Sequence, residues 1–243
     1  MIRKPTAIIL CGGKGERFGE GGSHKALSIT GGGVPVLWYA IRNAMLCDRI
    51  ENVFIMTSSD NDSDTNECIK NSVPPTKNIA TIISQNGIGQ AIVDAWARFK
   101  NLDGYIIING DTYNELSLSK FASDIKPNNI LFSASLKKIK IDYGVIAENP
   151  LLSGTVLSFD EKPEHEFLAW SGYVYIPFQV VADMHNLHNI YNTYSSNTIE
   201  SMTKRHLTYE KPVYYCEQSE YWLDIGTKER LRELNEWLLQ VRR

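Results

Sequence analysis

Short apolar runs rich in β-branched side chains alternate with stretches of helical spacing through the first half of the chain. This alternation predicts parallel strands joined by crossover helices. The strands fall at Thr6 to Cys11, Asn52 to Thr57, Ile79 to Ile83 and Tyr105 to Asn109. Between the first two, Val36, Leu37, Ala40, Ile41, Ala44 and Met45 recur at helical spacing behind Pro35, a residue suited to a helix start. A second helix is expected over Asp64 to Val73, with Asp64 and Glu67 at capping-box spacing and Pro74 and Pro75 ending it. The polar run Ser58 to Asn66 reads as a solvated loop rather than a metal site, and Gly31 to Gly33 as a turn.

Beyond Asp111 the pattern changes. A helix near Ser117 to Ile125 precedes strand candidates at Ile130 to Leu136, Tyr143 to Glu148, Thr155 to Asp160 and Gly172 to Ile176. This half reads as a mixed sheet layered onto the first. Two further helices are expected, Ser195 to His206 and Thr227 to Val241. The latter has Thr227 as N-cap and Leu231, Leu234, Leu238 and Val241 along one face. No repeat, low-complexity tract or linker interrupts the 243 residues, so one domain is expected over 1–243.

An apolar content of 43% is enough for a sizeable core. A net charge of −3 gives no global attraction to nucleic acid or to an anionic membrane. Cys11, Cys47, Cys68 and Cys216 lack C-x-x-C spacing, so they read as buried apolar residues in a reducing compartment. The apolar run before Cys11 is too short for a signal peptide and nothing approaches a membrane span, so a cytoplasmic protein is expected.

Candidate chemistry begins where the first strand runs into Cys11, Gly12, Gly13, Lys14, Gly15, Glu16, Arg17, Phe18 and Gly19, with Lys25 downstream. Such glycines expose backbone N–H groups that can wrap an anion, and Arg17 and Lys25 add charge. The expected ligand is a nucleoside triphosphate. No Gly-Lys is followed by Ser or Thr, and Gly13, Gly15 and Gly19 miss the G-x-G-x-x-G spacing, so both a P-loop and a dinucleotide fingerprint are disfavoured.

The strand ending Asn109-Gly110-Asp111 delivers a carboxylate to its C-terminal end, where open α/β sheets bind ligands. Asp224, between an aromatic-apolar cluster and a helix start, reads either as a cap or as a second metal ligand. Glu161-Lys162-Pro163 projects an acid and a base at a strand end. The glycines of Gly87-Ile88-Gly89-Gln90-Ala91 would let a flat base approach the backbone. His185 and His188 lack a completed ligand set, and Lys204-Arg205-His206 complements a helix dipole.

Taken in order, several segments resemble the sugar-1-phosphate nucleotidyltransferase family along nearly the whole chain. They are Gly12 to Arg17, Lys25, Gly87 to Ala91, Gly110-Asp111, Tyr143-Gly144-Val145, Glu161-Lys162-Pro163, Ser171-Gly172-Tyr173 and Trp222 to Thr227. The resemblance implies a three-layer α/β/α Rossmann-like (GT-A-like) fold with a mixed, mostly parallel sheet. Carried over, it puts Arg17 and Lys25 on the triphosphate, Lys162 on the sugar phosphate, and Mg²⁺ between Asp111 and Asp224. Leu10, Gly12, Gly13, Gly15, Gln85, Gly87, Gln90 and Gly110 would line the nucleotide, and Tyr143, Gly144, Glu161 and Gly172 the sugar.

The stretch between Arg17 and Lys25 is short and lacks a proline before the lysine, resembling the tighter loops of cytidylyl and molybdopterin-type transferases. The chain ends soon after the last predicted helix, so a bare catalytic domain is expected. The implied reaction joins an NTP to a hexose or heptose 1-phosphate, with a lean to GTP. Alternatives are a cytidylyl- or uridylyltransferase acting on another sugar phosphate or a non-sugar phosphate, and a non-catalytic nucleotide-sugar-binding regulator. Neither nucleic acid nor a membrane is expected as a partner, and a homo-oligomer is left open.

Overall fold

In β1 (Thr6–Cys11), Ala7, Ile9 and Cys11 enter one layer of the core and Ile8 the other, because successive strand side chains alternate between faces. The computed structural model describes residues 4–12, 25–71, 77–84, 90, 92, 94–95, 97, 103–126, 128–183 and 198–241. β1 pairs in parallel with β2 (Asn52–Thr57), and β2 with β3 (Asn78–Ile83). On its other side β1 pairs in parallel with β4 (Gly104–Asn109).

The second half then departs from expectation. The strands expected as a separate layer extend the first sheet, which runs in the order β10, β6, β9, β4, β1, β2, β3, with β6 (Ile130–Lys140), β9 (Glu164–Pro177) and β10 (Val213–Glu217). β9 lies antiparallel to both β4 and β6, so the sheet is mixed but mostly parallel.

Helix α1 (Val36–Leu46) buries Leu37, Ile41 and Ala44 on one face of this sheet, with Phe121 of α3 (Leu118–Ser123) and Cys68 of α2 (Asp62–Lys70). The other face is covered by Ile92, Val181 and, from α4 (Thr198–Thr208), Met202. This is the expected three-layer α/β/α Rossmann-like arrangement. A small antiparallel sheet joins β5 (Thr112–Asn114) to β11 (Trp222–Asp224). Its inward residues, Tyr113 and Leu223, pack with Val36 and with Leu234 and Leu238 of α5 (Lys228–Val241).

Several boundaries move for physical reasons. The polar run from Ser58 is not a loop: Asn61 donates to Ser58 Oγ at 2.8 Å, and Thr65 Oγ1 donates to the Asn61 carbonyl at 2.7 Å. Buried Thr65 also meets Thr57 Oγ1 at 3.0 Å, so α2 begins at Asp62 and Asp64 lies in its first turn rather than capping it. The expected strand Gly172 to Ile176 is only the inner end of β9. Residues Glu164 to Leu168 mix charged and apolar side chains because they form, with Leu136 to Lys140 of β6, an exposed two-stranded ribbon. Beyond it sits the hairpin of β7 (Val145–Glu148) and β8 (Val156–Asp160).

Gly31 to Gly33 form the expected turn, closed by the Gly33 N–H on the Thr30 carbonyl at 2.8 Å. Thr227 caps α5 as expected, its Oγ1 accepting from the Arg230 N–H at 3.3 Å, whereas Val241 is exposed rather than on the buried face. All four cysteines are buried. Among the described residues, no helix is long and apolar enough to cross a membrane.

Candidate active site at the strand ends

β1 and β4 finish side by side, and the chain leaving β4 is held against β1. The Gly110 N–H donates to the Leu10 carbonyl at 3.0 Å, and a Cβ on Gly110 would lie 2.6 Å from that oxygen. Only glycine allows this approach, and it fixes where Asp111 emerges. The Asp111 carbonyl accepts from the Ile225 N–H at 2.9 Å, tying the end of β4 to the chain that follows β11.

The register Asp224↔Thr112 and Trp222↔Asn114 sets Asp224, Thr112, Trp222 and Asn114 on one face of the small sheet, while Tyr113 and Leu223 fill the core behind. Asp111 and Asp224 thereby come within each other's field. Burial pushes the Asp111 carboxyl above the usual carboxylate range, the Asp224 charge pushes it further, and the Lys25 ammonium pulls it back. Lys25 Nζ stands 3.6 Å from Asp111 Oδ2, and Arg230 Nη1 donates to Asp224 Oδ2 at 2.9 Å and to the Asp224 carbonyl at 3.2 Å. Each carboxylate therefore has a cation of its own.

A buried polar network carries this corner. The Gln218 amide donates to Asn114 Oδ1 at 2.9 Å, and Asn114 Nδ2 donates to the Ser171 carbonyl at 2.7 Å. Ser171 Oγ lies 2.6 Å from Gln218 Oε1 and 2.8 Å from Ser133 Oγ. A carboxamide oxygen cannot donate, so the Ser171 proton goes to Gln218 and Ser133 supplies the other bond. The network joins β5, β6, β9 and the strand end after β10, and it seats Gly172. Gly172 has φ +107°, with a Cβ position 3.2 Å from Thr112 Cγ2, so a larger residue there would be both strained and crowded.

The remaining expected residues divide into two groups. Leu10, Gly12, Gly110, Lys25, Asp111, Asp224 and Gly172 gather around the ends of β1, β4 and β11. Tyr143, Gly144, Glu161 and Lys162 assemble at the ribbon tip, where Gly144 backs onto Phe159 and Glu161, and Lys162 holds φ +49°. Among the described residues, no ion pair joins the tip to Asp111 or Asp224. The ribbon does return over β11, since Lys137 Nζ lies 4.7 Å from the Trp222 ring centroid. Gln90 is half-buried and donates to Asp94 Oδ1 at 2.7 Å. Gly13, Gly15, Arg17, Gln85, Gly87, His185 and His188 lie outside the described residues.

Sequence reasoning missed Arg230, Lys137, Thr112 and Gln218. Arg230 stands three residues past the Thr227 cap, and its reach back to Asp224 depends on the turn between them, which no sequence signal marks.

Fold and site together define a Rossmann-like α/β protein whose candidate site lies at the carboxyl ends of parallel strands. The nucleotidyl transferase family model matches residues 6–241, and the chain belongs to that family, the one its motifs resemble. The fold is shared with a protein of Bacillus anthracis designated a glucose-1-phosphate thymidylyltransferase, solved with sucrose (TM-score 0.69, 19% identity, covering 96% of this chain and 94% of that one). It is also shared with HddC from Yersinia pseudotuberculosis (TM-score 0.65, 21% identity, covering 96% and 99%). HddC has also been solved in complex with GMP-PN (TM-score 0.64, 21% identity, covering 96% and 99%). Comparison with curated proteins found no match.

Proposed function

We propose that this chain transfers a nucleotidyl group from an NTP to a sugar 1-phosphate, giving an NDP-sugar and pyrophosphate. An oxygen of the sugar phosphate attacks the α-phosphorus, forming the new P–O bond, while the bond to the β-phosphate bridging oxygen breaks and pyrophosphate leaves. The attacking monoester is already largely ionised at neutral pH, so no strong general base is needed. Catalysis then rests on positioning and charge neutralisation.

The carrying observation is the convergence of Asp111 and Asp224, from separate elements, beside Lys25 at the end of β4. Two nearby carboxylates suit Mg²⁺, which takes one or two such ligands and fills its shell with substrate phosphates. Among the described residues no cluster of three or more His, Cys, Asp or Glu side chains is present, so Asp111 and Asp224 would be the protein's carboxylate ligands and substrate phosphates and water would complete the shell. When bound, the ion would supply neutralisation of phosphate charge. Lys25 and Arg17 would hold the triphosphate over Gly12, Gly13 and Gly15, with Leu10, Gln85, Gly87, Gln90 and Gly110 along the nucleotide. Gly172 would lie beneath the sugar, and the ribbon tip, with Tyr143, Gly144, Glu161 and Lys162, would supply hydroxyl and phosphate contacts.

The lean to GTP draws support from the shared fold of HddC, solved with GMP-PN. A homo-oligomer fits the apolar side chains exposed on the ribbon and hairpin, among them Leu136, Ile146, Leu157, Phe159 and Phe167. A cytoplasmic location fits four buried cysteines that form no disulfide.

The test is pyrophosphate release with Mg²⁺ over a panel of NTPs and sugar 1-phosphates. At least one pair should turn over, and Asp111→Ala should cut kcat/KM by about 100-fold or more, as losing one electrostatic contact to a transition state does. Silence from every pair would reject the reading in favour of a nucleotide-sugar-binding regulator, and full activity in the variant would remove Asp111 from the catalytic machinery and with it the metal-pair mechanism.

A further inference from the structure

The two candidate metal carboxylates are each engaged by one basic side chain, and the two pairs differ. Lys25 and Asp111 are both largely covered, with side-chain exposures of 18% and 29% and an N–O separation of 3.6 Å. Arg230 and Asp224 are nearer solvent, at 49% and 43%, but closer together at 2.9 Å. Arg230 approaches from the first turn of α5, and a single guanidinium nitrogen spans both Oδ2 and the carbonyl of Asp224. Its other nitrogens form no hydrogen bond among the described residues. A guanidinium carries five N–H donors in a fork that matches phosphate oxygens, so this contact leaves most of its capacity unspent.

The charges of these four side chains cancel. The proposed reaction brings in a triphosphate and a sugar phosphate, whose combined negative charge exceeds what one divalent cation neutralises. A site whose Lys25 and Arg230 stayed on their own carboxylates would leave that excess to Arg17 and Lys162 alone.

We propose that Arg230 exchanges partners during the reaction cycle: it occupies Asp224 while the metal is absent, and when a divalent cation takes that carboxylate it turns to a phosphate of the sugar-phosphate substrate. Arg230 thus competes with the metal for Asp224 and then binds the second substrate. The consequence is an order of events, with the metal preceding the sugar phosphate. This inference rests on the reading of Asp111 and Asp224 as a metal pair.

The test titrates Mn²⁺, followed by electron paramagnetic resonance at low ionic strength, into wild type, Arg230→Met, Arg230→Lys, Asp111→Asn and Asp224→Asn. Far-UV circular dichroism first establishes that each is folded. Removing an exposed ion-pair competitor should tighten Mn²⁺ binding by Arg230→Met about two- to five-fold, with Arg230→Lys between it and wild type. The sugar-phosphate KM of Arg230→Met should rise about tenfold while the NTP KM stays within about twofold, the loss expected of one charged hydrogen bond. Equal or weaker Mn²⁺ binding by Arg230→Met, including no binding in either protein, would overturn the exchange. If wild type binds Mn²⁺ and both Asn variants abolish it, that failure leaves the metal pair standing. If the Asn variants bind like wild type, the metal pair itself fails.

Discussion

Leu10, one residue from the end of β1, and Gly110, the residue after β4, stand in such close contact that the Gly110 N–H rests on the Leu10 carbonyl at 3.0 Å and a Cβ would have only 2.6 Å to the same oxygen. The neighbouring atoms, Leu37 Cδ1 at 3.2 Å and Ile9 Cγ2 at 3.3 Å, belong to the packed core and cannot yield freely. Gly110→Ala should therefore push β4 away from β1 and cost about 1–3 kcal/mol, as overpacking does. In a domain of this size each kcal/mol lowers Tm by roughly 2–4 °C. Because the displacement begins one residue before Asp111, activity should fall further than stability. A thermal melt combined with pyrophosphate release would check both. An unchanged Tm would mean the two strand ends are looser than this contact requires.

Gln218 gives a second case. Its carboxamide receives the Ser171 hydroxyl, donates to Asn114 Oδ1 and donates to the Glu220 carbonyl at 3.1 Å, and it is almost wholly buried. Gln218→Ala takes one hydrogen bond from each of these groups at a buried position, while Asn114 Oδ1 keeps the Leu116 N–H and Ser171 keeps Ser133, and costs about 1–3 kcal/mol. Gln218→Glu keeps the shape but carries no amide protons, so it should lose as much as the alanine or more. Urea midpoints at constant m-value would measure this, and a variant as stable as wild type would show that water replaces the side chain.

The sequence patterns captured the sheet where burial on both faces makes the apolar run continuous, as in Ala7 to Cys11 and Tyr105 to Asn109. They failed where the local run is too short to show a period. β5 and β11 have three residues each, yet their pairing is what aligns Asp224 with Thr112. They also failed where tertiary bonds override composition: Ser58 to Asn66 is polar, but Thr65 anchors it as helix through Thr57. Asp111 was legible because a strand end and a glycine point to it. Arg230 was not, because its contact with Asp224 crosses a turn that only the fold defines.

His206 ties stability to acid. Its ring is almost fully buried in α4 with Nε2 unpartnered, and burial, reinforced by the Lys211 charge, holds its pKa below the ordinary histidine value. The unfolded chain then binds the proton more readily than the folded one. The stabilising contribution is present above about pH 6.5 and is lost as pH falls from there through the depressed folded value. Urea midpoints measured from pH 7.5 to 5.5 should decline, and His206→Leu should flatten that decline. A profile that is identical in the variant would assign the acid sensitivity elsewhere.

Asp111 works in the opposite direction. Its folded pKa is raised, first by burial and then by Asp224, with the Lys25 attraction insufficient to offset them. The ionised carboxylate is therefore less at home in the folded protein than in the unfolded chain. Its cost is absent below the ordinary carboxylate range and is imposed as pH rises through the elevated folded value, so at neutral pH the metal-free protein carries it in full. Asp111→Asn mimics the protonated state and should raise the metal-free Tm by about 2–4 °C, for roughly 1 kcal/mol recovered at a destabilised functional site. Mg²⁺ reverses the ranking, since a cation that binds only the folded state stabilises it by mass action. Wild type should gain Tm with millimolar Mg²⁺ and the variant should not. A metal-free Asp111→Asn protein that melts below wild type would mean that the Lys25 pairing, rather than burial and the second carboxylate, governs this corner.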